Sequence, residues 1–114
     1  MEESLYTYRA EVVRVIDGDT IVINLDLGLS IWSKNLTVRL YGINSPEIRG
    51  AERPEGLKSK EWLVKTLSTT PTIIVKTYKD KNDKYGRLLA DIYIGDRYIN
   101  DEIVEEGFAK LASY

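Results

Sequence analysis

The strongest constraint on the fold is an alternation of apolar and polar residues with a period of two. In residues 20–27, Ile21, Ile23, Leu25 and Leu27 fall on one face, and Val22, Asn24 and Asp26 on the other. In residues 36–41, Leu36, Val38 and Leu40 point one way, and Thr37, Arg39 and Tyr41 the other. Successive strand side chains point to opposite faces, so the pattern predicts half-buried strands. Further strands are predicted over 9–16, 72–78 and 88–94. The sequence V-I-D-G-D-T at 15–20 lies between two such runs. Asp-Gly between alternating hydrophobics predicts a hairpin turn, with glycine supplying the positive φ of a tight reversal. A helix–loop–helix calcium loop does not fit, because it needs glycine at its sixth position and Val22 stands there.

The alternation breaks at residues 44–56, N-S-P-E-I-R-G-A-E-R-P-E-G, where prolines, glycines and charges predict a loop. A helix is predicted over 57–67, with Leu63, Val64 and Leu67 at helical spacing. A charged loop is predicted over 79–87, and Gly95-Asp96 reads as a tight turn. A short second helix is expected after Asn100, its N-cap, and before Gly107, its C′ residue. Five strands with a helix between the third and fourth is the order of an OB-fold. The expectation is a mainly β (α+β) chain: a five-stranded OB-fold β-barrel with one helix between strands 3 and 4 and a short C-terminal helix. Residues 1–114 are expected to form a single domain.

Two residue counts exclude whole classes of chemistry. The chain has no cysteine and no histidine. That removes thiol nucleophiles, zinc–thiolate sites, imidazole bases and Ser-His-Asp triads. A general base must then come from Asp, Glu, Lys or Tyr. Any metal would be held by oxygen, which favours Ca²⁺, Mg²⁺ or Mn²⁺. The formal net charge of −2 argues against gripping nucleic acid by bulk positive charge and leaves room only for a local basic pocket. No apolar run approaches the ~20 residues of a membrane span, and the acidic start lacks the apolar stretch of a signal peptide. The expected location is cytoplasmic, although a secreted mature form given a new Met would read the same way. No membrane partner is expected.

Four polar clusters remain: D-G-D-T (17–20), R-L-Y-G-I-N-S-P-E (39–47), the 44–56 segment, and D-K-Y-G-R (83–87). Singly, each has an ordinary reading. Arg39 suits a solvent face, Asn44-Ser45-Pro46 a turn, Glu47 a solvated loop, and Tyr85-Gly86-Arg87 the start of a strand. Together, and with the closing N-D-E-I-V-E-E-G-F-A-K-L-A-S-Y, they resemble the staphylococcal-nuclease (thermonuclease-like) family over nearly the whole chain.

The resemblance implies an OB barrel that hydrolyses phosphodiesters of DNA or RNA with Ca²⁺. It implies metal binding by Asp19, by Asn44 and by the backbone carbonyl of Ser45. It gives Glu47 the activation of water, and Arg39 and Arg87 the scissile phosphate. Lys84 and Tyr85 match residues that contact a terminal phosphate, and Tyr114 is a base-stacking candidate. Asp17 is expected to shape the turn or support Asp19. The chemistry is coherent. Guanidinium forks and a hard dication suit the charge that builds on an attacked phosphate.

The chain departs from the family pattern at Asn44, a position usually aspartate. The amide keeps an oxygen ligand and loses a charge, so weaker metal binding is predicted. The longer family members also carry a third helix beyond the length of this chain. The alternative reading is an OB-fold module that binds nucleic acid and cleaves it weakly or not at all. A monomer is expected.

Overall fold

Five strands curl around one apolar core because each places its aliphatic residues on the same side. The computed structural model describes residues 6–82 and 87–112. Strands β1 (Thr7–Asp17), β2 (Thr20–Asp26) and β3 (Trp32–Leu40) form an antiparallel meander. A short strand β4 (Ile43–Asn44), a 3-10 turn (Gly50–Glu52) and helix α1 (Arg53–Leu67) follow. Strand β5 (Ile73–Asn82) returns antiparallel to β1, and β6 (Leu88–Ile94) antiparallel to β5. Strand β7 (Arg97–Tyr98) leads into helix α2 (Ile99–Glu105), and β8 (Lys110–Leu111) pairs with β4.

The barrel closes where β6 lies parallel to β3, with Val38 opposite Leu88, Arg39 opposite Leu89 and Leu40 opposite Ala90. The expected five-stranded, mainly β barrel with two helices is therefore present. Register shifts at Val12/Arg14 and Val15/Asp17 bend β1, which lets it pair with β2 along its length and with β5 at its start. Ile21, Ile23, Val38, Leu40, Val75, Ala90 and Ile92 fill the interior, and Leu63 of α1 with Ile99 and Ile103 of α2 packs against them.

Several local expectations change. Leu27 lies past the end of β2 and is exposed, while Val22 on the opposite face is buried. Helix α1 starts at Arg53, inside the segment expected to be loop, and Leu63 and Leu67 are buried while Val64 is exposed. Pro54 does not block this start, because first-turn amides have no intrahelical acceptor to lose. β5 extends to Asn82, beyond the predicted end at residue 78.

Asn100 is not an N-cap. It sits inside α2, where its Oδ1 accepts from the Ile92 amide (3.0 Å). Its Nδ2 donates to the carbonyls of Tyr41 (3.0 Å) and Ala90 (3.1 Å), so it ties the helix to the barrel seam. Gly107 does close α2 as expected. Its φ is +84°, and the Gly107 and Phe108 amides return to the carbonyls of Val104 and Ile103. Among the described residues, no helix is long and apolar enough to cross a membrane.

Candidate active site

The site is built on the reversal between β1 and β2. Asp17 Oδ1 accepts from the Asp19 amide (3.0 Å), so the first aspartate folds the turn through its own side chain. Gly18 has a different role from the one expected. It is not among the glycines with positive φ. A Cβ built on it would lie 2.7 Å from the Cβ of Ser45 and 2.7 Å from that of Ser59. Glycine is required because the turn presses against both the segment after β4 and helix α1. Ser59 in turn donates from its hydroxyl to the Phe108 carbonyl beyond α2.

This packing aims Asp19 into a polar cluster. Asp19 is 6% exposed. Oδ1 accepts from the Thr20 hydroxyl (2.9 Å), and Oδ2 accepts from the Ser45 amide (3.0 Å). Arg39 stands opposite Thr20 on the neighbouring strand, and its Nη2 is 3.5 Å from Asp19 Oδ2. The same nitrogen donates to the Ile43 carbonyl (3.0 Å) and to Asn44 Oδ1. Arg87, just before β6, donates from Nη1 to the Thr20 hydroxyl (3.2 Å). Thr20 thus relays between Asp19 and Arg87. Arg39 meets the buried carboxylate directly, and Arg87 is joined to it through Thr20.

The two aspartates of the turn are driven apart in acidity. Burial, followed by a hydrogen bond and charge repulsion from Asp19, pushes Asp17 up to about 6. Burial alone would raise Asp19 too. Hydrogen bonds from Asp17 and the Ser45 amide, the Arg39 charge and the Thr20 hydroxyl together outweigh it and hold Asp19 below the usual carboxylate range. Of the two, Asp19 ionises first and Asp17 holds its proton to higher pH.

The structure thus joins Asp19, Arg39, Asn44, Ser45 and Arg87 in one network. Glu47 lies on the adjoining segment with its side chain exposed. Its amide donates to Glu52 Oε1 (3.3 Å), and a Cβ on Gly56 would lie 2.1 Å from its carbonyl oxygen. The backbone of Glu47 is therefore seated directly on α1. Lys84, Tyr85 and Tyr114 lie outside the described residues. Sequence reasoning passed over Thr20, Gly56 and Ser59, which hold this arrangement together. The available signal was glycine early in a helix, where only close approach justifies its helix-weakening cost.

A metal would find Asp19, the Asn44 amide oxygen and the Ser45 carbonyl. Among the described residues, no three acidic side chains form a metal-type cluster. The donors are all hard oxygens and fit an oxygen-seeking dication, but of these three Asp19 alone carries a negative charge. The Arg39 guanidinium bridges Asp19 and Asn44, so positive charge already sits between the two side-chain donors.

The family model described as staphylococcal nuclease homologue matches residues 37–114. The thermonuclease of Staphylococcus hyicus is 31% identical over 111 residues, covering 95% of this chain and 60% of the relative. The thermonuclease of Staphylococcus intermedius is 34% identical over 106 residues, covering 90% of this chain and 59% of the relative. An uncharacterized protein of Methanocaldococcus jannaschii is 30% identical over 128 residues, covering 91% and 59%. The chain thus spans about 60% of the length of these curated relatives.

Proposed function

We propose that this chain, which belongs to the staphylococcal nuclease family, hydrolyses phosphodiester bonds of DNA or RNA at the Asp19–Arg39–Arg87 cluster. The observation that carries the reading is the convergence of Arg39 and Arg87 on the buried Asp19 and Thr20. Two fixed guanidiniums beside one carboxylate match a phosphodiester and, still better, the extra negative charge that develops when it is attacked. Arg39 and Arg87 hold the phosphate oxygens. Glu47 takes the proton of the attacking water from its exposed position beside the cluster. Asp19, the Asn44 amide oxygen and the Ser45 carbonyl would hold Ca²⁺, with Mg²⁺ or Mn²⁺ as substitutes. A bound dication supplies charge neutralisation and a more acidic water.

The test is cleavage of single-stranded and plasmid DNA, and of RNA, with Ca²⁺ and with EDTA, beside Glu47→Gln and Arg87→Ala. Wild type should cleave with metal, and each variant should lose at least about a hundredfold. Equal cleavage by wild type and both variants would identify a contaminant and remove the proposal.

One observation favours a second reading, a barrel that binds nucleic acid without cutting it. Asn44 adds no charge, and its side-chain oxygen is taken by Arg39. Under that reading Asn44→Asp should switch cleavage on from nothing. Under the leading reading it should only lower the metal concentration needed.

A further inference from the structure

Strands β3 and β6 run parallel and in register, so their outward side chains form two matched columns. Val38 and Leu40 point inward on one strand, and Ala90 and Ile92 on the other. The outward residues therefore read Arg87 first, then Arg39 beside Leu89, then Tyr41 beside Asp91, then Tyr93. Tyr41 prolongs the pairing, its amide donating to the Ala90 carbonyl (2.8 Å). Each two-residue step advances ~6.6 Å, close to the reach of one nucleotide in an extended strand. Arginines that face a phosphate are followed, along the same face, by aromatic rings.

Those rings are held by an unusual device. Asp91 points out of the barrel and is nonetheless 5% exposed. Its Oδ2 accepts from the Tyr78 hydroxyl (2.7 Å) and its Oδ1 from the Tyr98 hydroxyl (2.8 Å). Tyr41 stacks on Tyr78 with ring centroids 4.3 Å apart, and Tyr93 stacks on Tyr98 at 5.1 Å. All four tyrosines are half-buried residues. Lys76 stands opposite Asp91 on β5 and supplies the nearest cation in the register. Barrel stability alone does not call for this arrangement. A buried carboxylate costs desolvation, and an apolar residue of similar size would need no partners. What the carboxylate adds is rigidity, with two phenols pinned and a second ring laid on each.

The geometry points to a stacking track for single-stranded nucleic acid. Bases one or two nucleotides beyond the phosphate at Arg39 and Arg87 stack on the rings of Tyr41 and Tyr93, which Asp91 steadies through Tyr78 and Tyr98. The position of that phosphate rests on the function proposed above. Stacking on aromatic faces is tolerant of sequence, because every base has a π face.

Fluorescence anisotropy of labelled oligothymidylate and oligouridylate, in EDTA at one fixed salt concentration, tests the track without cleavage. Wild type should bind at least one oligomer. Tyr41→Leu/Tyr93→Leu should bind it about tenfold more weakly, and Tyr41→Trp should bind like wild type. Should the leucine variant fail to fold, photocrosslinking of an iodouracil-substituted oligomer to wild type gives the answer. Adducts on Tyr41 or Tyr93 support the track, and adducts confined to other residues overturn it. Absence of oligomer binding by wild type also overturns it. Binding without metal-dependent cleavage would leave the track standing and remove the hydrolase reading. Cleavage by wild type with unchanged affinity in the folded leucine variant would remove the track alone.

Discussion

Gly18 and Ser59 are packed so closely that a Cβ on the glycine would lie 2.7 Å from that of the serine. The contact fastens the β1–β2 turn to helix α1, and the turn carries Asp19. Gly18→Ala should therefore destabilise the protein by about 1–3 kcal/mol, the usual cost of overpacking. It should also disturb the Asp19 cluster. Chemical denaturation measures the first effect, and cleavage at saturating metal measures the second.

Gly56→Ala poses a contest of signs. Alanine in place of glycine normally favours a helix by about 1 kcal/mol. Here the new methyl would stand 2.1 Å from the carbonyl oxygen of Glu47, a backbone atom that cannot rotate away. The clash should win. The variant should melt lower than wild type, and its cleavage should fall more than that of Gly18→Ala, because Glu47 itself is displaced. A higher melting temperature with full activity would contradict this placement of the loop.

Arg39→Lys keeps the charge and loses the fork. Arg39 reaches Asp19, Asn44 and the Ile43 carbonyl from one guanidinium nitrogen, a set of contacts that fixes the plane of the fork. An ammonium is a point charge and cannot present paired donors to a phosphate. Cleavage should drop by at least about tenfold with little change in melting temperature. Parallel measurement of both quantities separates a chemical effect from unfolding.

The turn also makes stability depend on pH in an unusual direction. Asp17 is pushed up to about 6 from an ordinary value of 3.8. Its folded form holds a proton that the unfolded chain has already released. That contribution is complete below the ordinary carboxylate value and is lost as pH rises through about 6. Asp19, held low, acts oppositely and contributes above the ordinary value. In EDTA, denaturation midpoints should fall between about pH 4 and 6, and Asp17→Asn should flatten that slope. An unchanged slope in the variant would place the titration elsewhere.

Asn100→Leu should be among the most damaging core changes. It takes the Asn100 side chain from the Ile92 amide and the Tyr41 carbonyl, and one of two donors from the Ala90 carbonyl. The Ala90 carbonyl keeps the Tyr41 amide, and each of the other two groups, once unsatisfied, costs about 1–3 kcal/mol. Thermal unfolding compared with Ile99→Val, a purely apolar trimming, checks that the loss comes from hydrogen bonds.

What the sequence displayed was periodicity and motif. Ile21, Ile23, Val38 and Leu40 announced the barrel because a period of two survives in any strand that buries one face. Asp19, Arg39 and Arg87 were visible through short motifs in a recognisable order, and the fold brings them together. Contacts between distant segments were not visible. Gly18 looked like a turn residue because nothing local reveals that Ser59 lies against it. Asn100 looked like a cap because its real partners, Ile92, Tyr41 and Ala90, are a tertiary matter. The start of α1 was missed because Arg53 and Pro54 resemble loop composition as much as a helical first turn.

The β3–β6 pairing that seals the barrel also sets a timetable. Thr20 and Arg87 are 67 positions apart in the chain, and their bond forms only when β6 docks beside β3. Joining such remote segments is the entropically slow part of building a protein of this kind. The two arginines therefore meet only once the ring of strands is complete. On the function proposed above, a partly folded chain would be chemically silent, and the onset of phosphate binding during refolding would report the moment of closure.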